Sequence, residues 1–402
     1  MGGAATGKGE LLKHLLKRAS TLDLPLGQLS GLAKRLLYRA HAPTRLSPIS
    51  EIAPQTELQP CSGIWGSAEI RAENPAVEKH RDVMIIPFSD TAYFDGDPDW
   101  GIYGADGCLI DAAALRRGAG RGLVGQSPRS RLDFDSLPEE DASVEYVYGG
   151  PIIAHFGHFI CSTLSRLWWL AEKPLGTRRI LFHSGSELSV ELNFPYIAAC
   201  FARLGINTDN AMVVRRPLRL KQLTIPRPSF QEQTFASEAF QRLCHIIGEP
   251  FWDRNGRDLP PVYLSKTRLA GGVGRIKNEQ VIENRLAGYG MDIIYPEQLS
   301  FAEQVTLFSQ RRTILGSAGS AFHASIFAPP NSQLICLSAG PTINSNMSLL
   351  DQLNKNVVHY YYPSSGQDEE SGTDNFLTSN CFREPVRVAD ELASMCSNFV
   401  KI

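Results

Sequence analysis

A chain of 402 residues with 43% hydrophobic and 20% charged side chains exceeds the length at which one hydrophobic core usually keeps growing, so two domains of ordinary size are expected. A formal charge of -2 excludes the overall basic field that would point to a nucleic-acid partner, and none is expected. No apolar run approaches the roughly 18 residues of a membrane span, and the start carries no continuous apolar stretch with a cleavage site, which reads as a cytoplasmic protein.

Residues 1–50 carry eight Lys or Arg against Glu10 and Asp23. Leu11, Leu12, Leu15 and Leu16, then Leu32, Leu36 and Leu37, can line basic amphipathic helices that suit the anionic inner face of a membrane. Peripheral membrane contact through this leader stands beside a plainly solvated one as its two readings. The eight cysteines include no Cys-x-x-Cys pair, which argues against a zinc site or a dense disulfide framework.

From about 52 to 140 the chain is rich in Pro, Gly and Asp, with short apolar runs at 83–87 and 107–110, and reads as an irregular β-rich region leading into the first domain. Within it Gly120-Arg121-Gly122-Leu123-Val124-Gly125 matches the dinucleotide fingerprint in letters only, because no strand precedes it and Pro128 follows. Asp95-Gly96-Asp97-Pro98-Asp99 reads as an exposed acidic turn, since Trp100 occupies the position where a calcium loop needs glycine.

Strands and helices then alternate: strand 144–154, helix 157–171, strand 179–183, helix 194–204, strands 212–215 and 218–225, helix 234–247. The stretch 248–261, with three prolines and two glycines, reads as a linker. Beyond it follow strand 262–265, helix 279–287, strand 292–295, helix 301–310, strand 313–315, helix 320–327, strands 334–337 and 357–362, and helix 390–400. The pattern predicts an α/β fold of two doubly wound halves facing a cleft, with a leader at 1–50, a first domain over 51–250 and a second over 251–402.

The chemistry concentrates in three places. In helix 157–171, Ile160, Leu164, Leu167 and Ala171 recur as a buried stripe, while His158, Ser162, Ser165 or Arg166, and Trp169 share the opposite face. His158 suits a general base because imidazole titrates near neutral pH, and His155 and His158 have no third ligand nearby in sequence, so no metal site is expected. In the second half, strand 313–315 enters Gly316-Ser317-Ala318-Gly319-Ser320, whose small residues let backbone N–H groups approach an anion at a helix start, with His323 one turn further on. Leu264-Ser265-Lys266-Thr267-Arg268 and Gly271-Gly272-Val273-Gly274-Arg275-Ile276-Lys277 add four cations, Lys266, Arg268, Arg275 and Lys277, around a glycine loop at a strand end; a phosphate site and a solvated surface both fit. Glu297, after strand 292–295, is placed to meet a sugar hydroxyl, whereas Ser300-Phe301-Ala302-Glu303 reads as a capping box.

At these residues the chain resembles glycosyltransferase family 61 over roughly 144–340. The resemblance is carried by Gly149-Gly150, Gly157-His158-Phe159, Ser165-Arg166-Leu167-Trp168, Tyr263-Leu264-Ser265 with Arg268, Arg275-Ile276-Lys277-Asn278-Glu279, Pro296-Glu297, Glu303-Gln304 and Gly319-Ser320-Ala321-Phe322-His323 with Phe327. It implies a GT-B-like pair of Rossmann-like domains, a nucleotide-sugar donor held mainly by the C-terminal one, and inverting transfer, usually without a metal and with no other cofactor. Arg268, Arg275 and the loop to His323 would then face the donor, with His158 and Arg166 at the acceptor or reacting centre.

The chain departs from the family pattern at Ser162, where that pattern usually has Glu or Asp, and at Ala324, where it often has Asn. A hydroxyl cannot by itself act as a base at neutral pH, so the base is His158, a carboxylate from elsewhere, or absent. The resulting expectation is transfer of a hexosyl or pentosyl unit from a nucleotide diphosphate to a cell-surface or capsular glycan, free or lipid-linked. The rival readings are a polysaccharide pyruvyl-type transferase and a catalytically inactive glycan or nucleotide binder in an assembly complex.

Overall fold

The computed structural model describes residues 44–45, 56–88, 100–118, 120, 122–254, 259–269, 275–310, 312–366 and 380–399. The basic leader apart from 44–45, the acidic turn at Asp95 to Asp99 and the glycines at 271, 272 and 274 lie outside these residues.

Short β-branched and aromatic runs in the C-terminal half form a parallel sheet. Its strands Asp292–Ile294, Val262–Leu264, Thr313–Ser317, Gln333–Leu337 and Val357–Pro363 lie side by side in that order, and Leu58–Pro60 closes one edge antiparallel to the last. Alternate side chains point to opposite faces. Val262 and Leu264 therefore pack with Phe308, Phe322 and Met347, while Tyr263 packs with Ile282, Leu286 and Leu392. Helices Phe301–Ser309 and Ser345–Leu353 with the 3₁₀ segment Ser320–Phe327 cover the first face, and helices Glu279–Gly288 and Pro385–Phe399 cover the second.

Burial on both faces explains why these strands read as continuous apolar runs. Taken in chain order, the five parallel strands sit as second, first, third, fourth and fifth, so the order reverses between Val262–Leu264 and Thr313–Ser317. Such a reversal opens a crevice at the carboxyl ends of the two strands. The capping box at Ser300 forms as the sequence indicates, with Glu303 N–H donating to Ser300 Oγ at 3.3 Å and Ser300 N–H to Glu303 Oε2 at 2.8 Å.

The N-terminal half carries a mixed sheet. Ala211–Val213, Arg179–His183 and Tyr146–Pro151 run parallel, Leu218–Pro226 joins them through Thr224 beside Val147, and Val77–Ile86 and Gly101–Gly104 extend the sheet antiparallel. The region expected to be an irregular β-rich piece thus adds strands to the main sheets of both halves. Its long strand was hidden because Glu78 to Asp82 are polar and lie largely outside the core, so only Val83 to Ile86 read as apolar. Gly122–Leu123 pairs with Arg116–Arg117, consistent with the loop reading of the glycines around it.

The halves are joined by a shared core rather than held apart along this stretch. Phe240, Leu243 and Ile247 of helix Glu238–Gly248 pack with Phe301, Val305, Phe327, Leu349 and Leu353 from the C-terminal half. A Cβ on Gly248 would stand 1.9 Å from the Phe327 carbonyl oxygen, so the approach requires glycine. The expected linker is correspondingly packed: Trp252 Nε1 donates to the Phe327 carbonyl at 2.6 Å and Thr306 Oγ1 to the Phe251 carbonyl at 2.8 Å. The result is a mixed α/β fold.

Candidate functional site

After strand Tyr146–Pro151 the chain turns into an irregular helical segment: one α turn at Phe156–His158, a wider π turn at Phe159–Thr163 and a tight 3₁₀ turn at Leu164–Arg166. An amphipathic helix with one polar face was expected, but both faces are covered, leaving Arg166 3% and Ser165 2% exposed beside fully buried Ile160 and Leu164. The cause is the shared core, which places this segment between its own sheet and elements of the other half. Wide turns of this kind re-aim the side chains that follow and are frequent at functional sites.

The polar residues of this segment meet a carboxylate from far along the chain. Oε1 of Glu232 lies 2.9 Å from His158 Nδ1 and accepts a hydrogen bond from Ser162 Oγ at 2.6 Å. Oε2 lies 3.1 Å from Arg117 Nε and accepts from Asn346 Nδ2 at 3.2 Å. Burial alone would push the Glu232 carboxyl up, but the His158 hydrogen bond, the charges of Arg117 and His158 and the Ser162 hydroxyl outweigh it and hold the group down at about 2. An ionised carboxylate only accepts, so the His158 nitrogen facing it carries the proton and Nε2 is the basic nitrogen of the neutral ring. The His158 side chain keeps 17% of its surface exposed, against 3% for Glu232.

Two more imidazoles adjoin this pair. The His155 ring centroid lies 4.9 Å from that of His158, and burial, then the neighbouring His158, keep His155 below the usual imidazole range. His323 comes from the other half. A Cβ on Gly157 would stand 3.0 Å from Ser320 Cβ and 3.4 Å from the His323 ring, so the helical turn bearing His158 lies against the start of Ser320–Phe327. His323 Nδ1 sits 3.8 Å from Cys161 Sγ, and burial lowers its pKa to about 4, leaving it neutral at physiological pH. It adjoins the contact between the halves as a neutral ring. Among the described residues no group of three or more His, Cys, Asp or Glu is placed to hold a metal ion.

The four cations expected around the glycine loop have separate placements. Lys266 leaves strand Val262–Leu264 and crosses to the neighbouring strand end, where Nζ donates to the Ala318 carbonyl at 3.1 Å and would lie 2.7 Å from a Cβ on Gly319. Its backbone N–H donates to Glu279 Oε2 at 3.2 Å, while Ser265 Oγ and Thr267 Oγ1 both donate to buried Glu283, so two glutamates behind the turn fix its shape. Burial lowers the Lys266 pKa and the Glu279 charge opposes that shift. Arg268 projects from the same turn, with its guanidinium 3.8 Å from the centroid of the Tyr295 ring. Arg275 instead folds back, donating to the Leu269 carbonyl at 3.2 Å, and Lys277 is exposed with its N–H on the Asn380 carbonyl.

Three further candidates have other placements. Glu297 is exposed in the turn Pro296–Gln298. Gly316 lies inside its strand, where a Cβ would meet the Leu264 carbonyl oxygen at 2.7 Å, so it serves strand packing rather than an anion. Arg166, expected at the reacting centre, is a buried clamp: its guanidinium donates to the carbonyls of Ala112 and Pro226 at 2.6 and 2.7 Å and of Ala114 at 2.9 Å. Those acceptors are supplied by folds of chain 50 to 60 residues away, which no local pattern reveals.

Glu232 was missed by the sequence reading. It sits between two glutamines, in a turn closed by Thr234 N–H on the Gln231 carbonyl at 3.0 Å, between strands Phe230–Gln231 and Phe235–Ser237. The one local hint is a lone acid in a stretch that is otherwise uncharged from Ser229 to Ser237.

The helical turn with its imidazole, the strand-end loop and Lys266 all lie within the span matched by a family model: Glycosyltransferase 61, over residues 156–335. No curated protein matches the chain. Over residues 156–335, somewhat under half of its length, the chain is similar to the glycosyltransferase 61 family.

Proposed function

We propose that the chain is an inverting, metal-independent glycosyltransferase moving a hexosyl or pentosyl unit from a nucleotide diphosphate to a hydroxyl of a cell-surface glycan, free or lipid-linked. The family match supports glycosyl transfer. The observation that carries the rest is that one strand-end loop, Ala318 to Ser320, touches Lys266 on one side and the turn bearing His158 on the other. A cation, a helix start and the turn that bears an imidazole thus adjoin one loop.

In this reading the two sheets form GT-B-like lobes, with the diphosphate at the strand-order reversal of the C-terminal sheet. Lys266, the backbone amides around Gly319 and Ser320, and Arg268 beside Tyr295 take up the charge that develops on the departing diphosphate. The acceptor oxygen attacks the anomeric carbon as the bond from that carbon to the diphosphate oxygen breaks, and the bonding pair leaves with the diphosphate. His158 Nε2 receives the acceptor proton. Positive charge from side chains makes a divalent ion unnecessary here, so a chelator is expected to leave the rate unchanged.

Incubation with UDP- and GDP-sugars, scored for nucleotide release and for heat of binding, tests the proposal. Release of UDP or GDP with a glycan acceptor present supports it, and a protein that binds no nucleotide and releases none contradicts it.

A further inference from the structure

The buried environment of Glu232 is built for holding a charge at one ring nitrogen. Three segments converge on it: Ser162 and His158 from the helical segment, Arg117 from the hairpin Arg116–Arg117 with Gly122–Leu123, and Asn346 from the first turn of helix Ser345–Leu353 in the other half. The turn itself is clamped. Gln233 adopts a φ of 61°, a left-handed conformation that side-chain-bearing residues rarely take, and its N–H donates to Asn346 Oδ1 at 2.6 Å. Ser67 N–H donates to the Gln233 carbonyl at 2.9 Å, and Gly66, at φ 102°, makes room where a Cβ would stand 2.8 Å from that oxygen. A surface loop needs none of this.

We infer that Glu232 is the positioning carboxylate of the transfer reaction, fixing the ring and tautomer of His158 so that Nε2 faces the acceptor hydroxyl. Ser162, four residues after His158 on the same helical segment, supplies a hydroxyl to the same carboxylate oxygen in place of a charge of its own. The inference deepens the transferase reading and rests on it for the acceptor. A fixed carboxylate behind an imidazole both selects the tautomer and stabilises the imidazolium formed when a proton arrives. Among the described residues, the titratable groups near His158 include His155 beside it, His323 across the contact between the halves, Arg117 behind Glu232, and the Cys161 thiol. None of these is an anion at neutral pH, whereas Glu232 places a carboxylate oxygen 2.9 Å from the ring.

The test uses the whole protein labelled with ¹⁵N-histidine. In the wild type the His158 ring nitrogens are expected to report the neutral tautomer protonated at Nδ1, and in Glu232→Gln a mixture with the Nε2-protonated form. Identical tautomer populations in the two proteins overturn the inference. In parallel, Glu232→Gln is expected to lower kcat by about 100-fold with the donor KM unchanged, and to move the acidic limb of the kcat/KM profile to lower pH. An unmoved limb counts against it.

Should Glu232→Gln fail to fold, Arg117→Gln decides the point with the opposite sign. It leaves the carboxylate less compensated and moves the limb to higher pH, whereas a merely structural Glu232 leaves the limb in place. If the wild type transfers no sugar from any donor, the transferase reading fails. The tautomer measurement needs no substrate and still decides what Glu232 does to His158.

Discussion

Glu232 Oε1 stands 2.9 Å from His158 Nδ1 although 74 positions separate the two residues in the chain. The pairing has a thermodynamic signature. The folded carboxyl is held at about 2, below its ordinary value of 4.5, so Glu232 stabilises the fold above about pH 4.5 and the contribution is lost as pH falls toward 2. Urea unfolding of Glu232→Gln at pH 7 is expected to show a loss on the order of 2–3 kcal/mol that shrinks on acidification. A deficit of the same size at pH 3 and pH 7 would count against the ion pair.

Arg166 is expected to act on stability. Its guanidinium supports three backbone carbonyls, and burial lowers its pKa only to about 10, so it stays charged at neutral pH. Arg166→Met removes all three donors, at a cost of about 3 kcal/mol or more, because each unpartnered buried acceptor loses roughly 1–3 kcal/mol. Thermal unfolding checks this. A variant with unchanged melting and lost activity would return Arg166 to the reacting centre.

Asp351 carries the opposite pH dependence. Burial raises its carboxyl to about 6, only partly opposed by hydrogen bonds from Asn356 and Tyr360. A folded value above the unfolded one means that the native state binds more protons between about pH 4 and 6, so this group's contribution to stability falls as pH rises through that window. Asp351→Asn cannot ionise. Its stability relative to wild type should rise by roughly 2–3 kcal/mol between pH 4 and pH 7, and a flat difference contradicts the assignment.

Lys266 is expected to matter for nucleotide affinity. A charge-assisted contact to phosphate is worth about 1.5–3 kcal/mol, so Lys266→Ala should weaken UDP or GDP binding by roughly 10- to 100-fold in calorimetry. Lys277→Ala, at an exposed position, should change it little. Equal effects of the two substitutions would remove the case for a site at the strand-order reversal.

Local signals found the C-terminal sheet and its helices because strands covered on both faces read as short apolar runs between helical periods. They also found the capping box at Ser300, whose partners lie three residues apart. They missed the strand Val77–Ile86, whose outer half is charged. Within the proposed site, His158, Lys266 and the Gly319-Ser320 loop were singled out from residue type beside a strand end. Glu232, Arg117 and Asn346 were not, because a carboxylate becomes informative only when folding delivers its partners from 70 to 115 residues away. The clamp made by Arg166 was not readable for the same reason: the carbonyls that hold it come from folds of chain that the helix pattern does not contain.

The most direct test compares turnover by the wild type and His158→Ala at saturating nucleotide sugar with a glycan acceptor, with UDP or GDP affinity measured on the same samples. Turnover at least about 100-fold lower with unchanged nucleotide affinity is the predicted result, since proton removal from the acceptor is lost while the diphosphate site stays intact. Equal turnover by the two proteins would contradict the account.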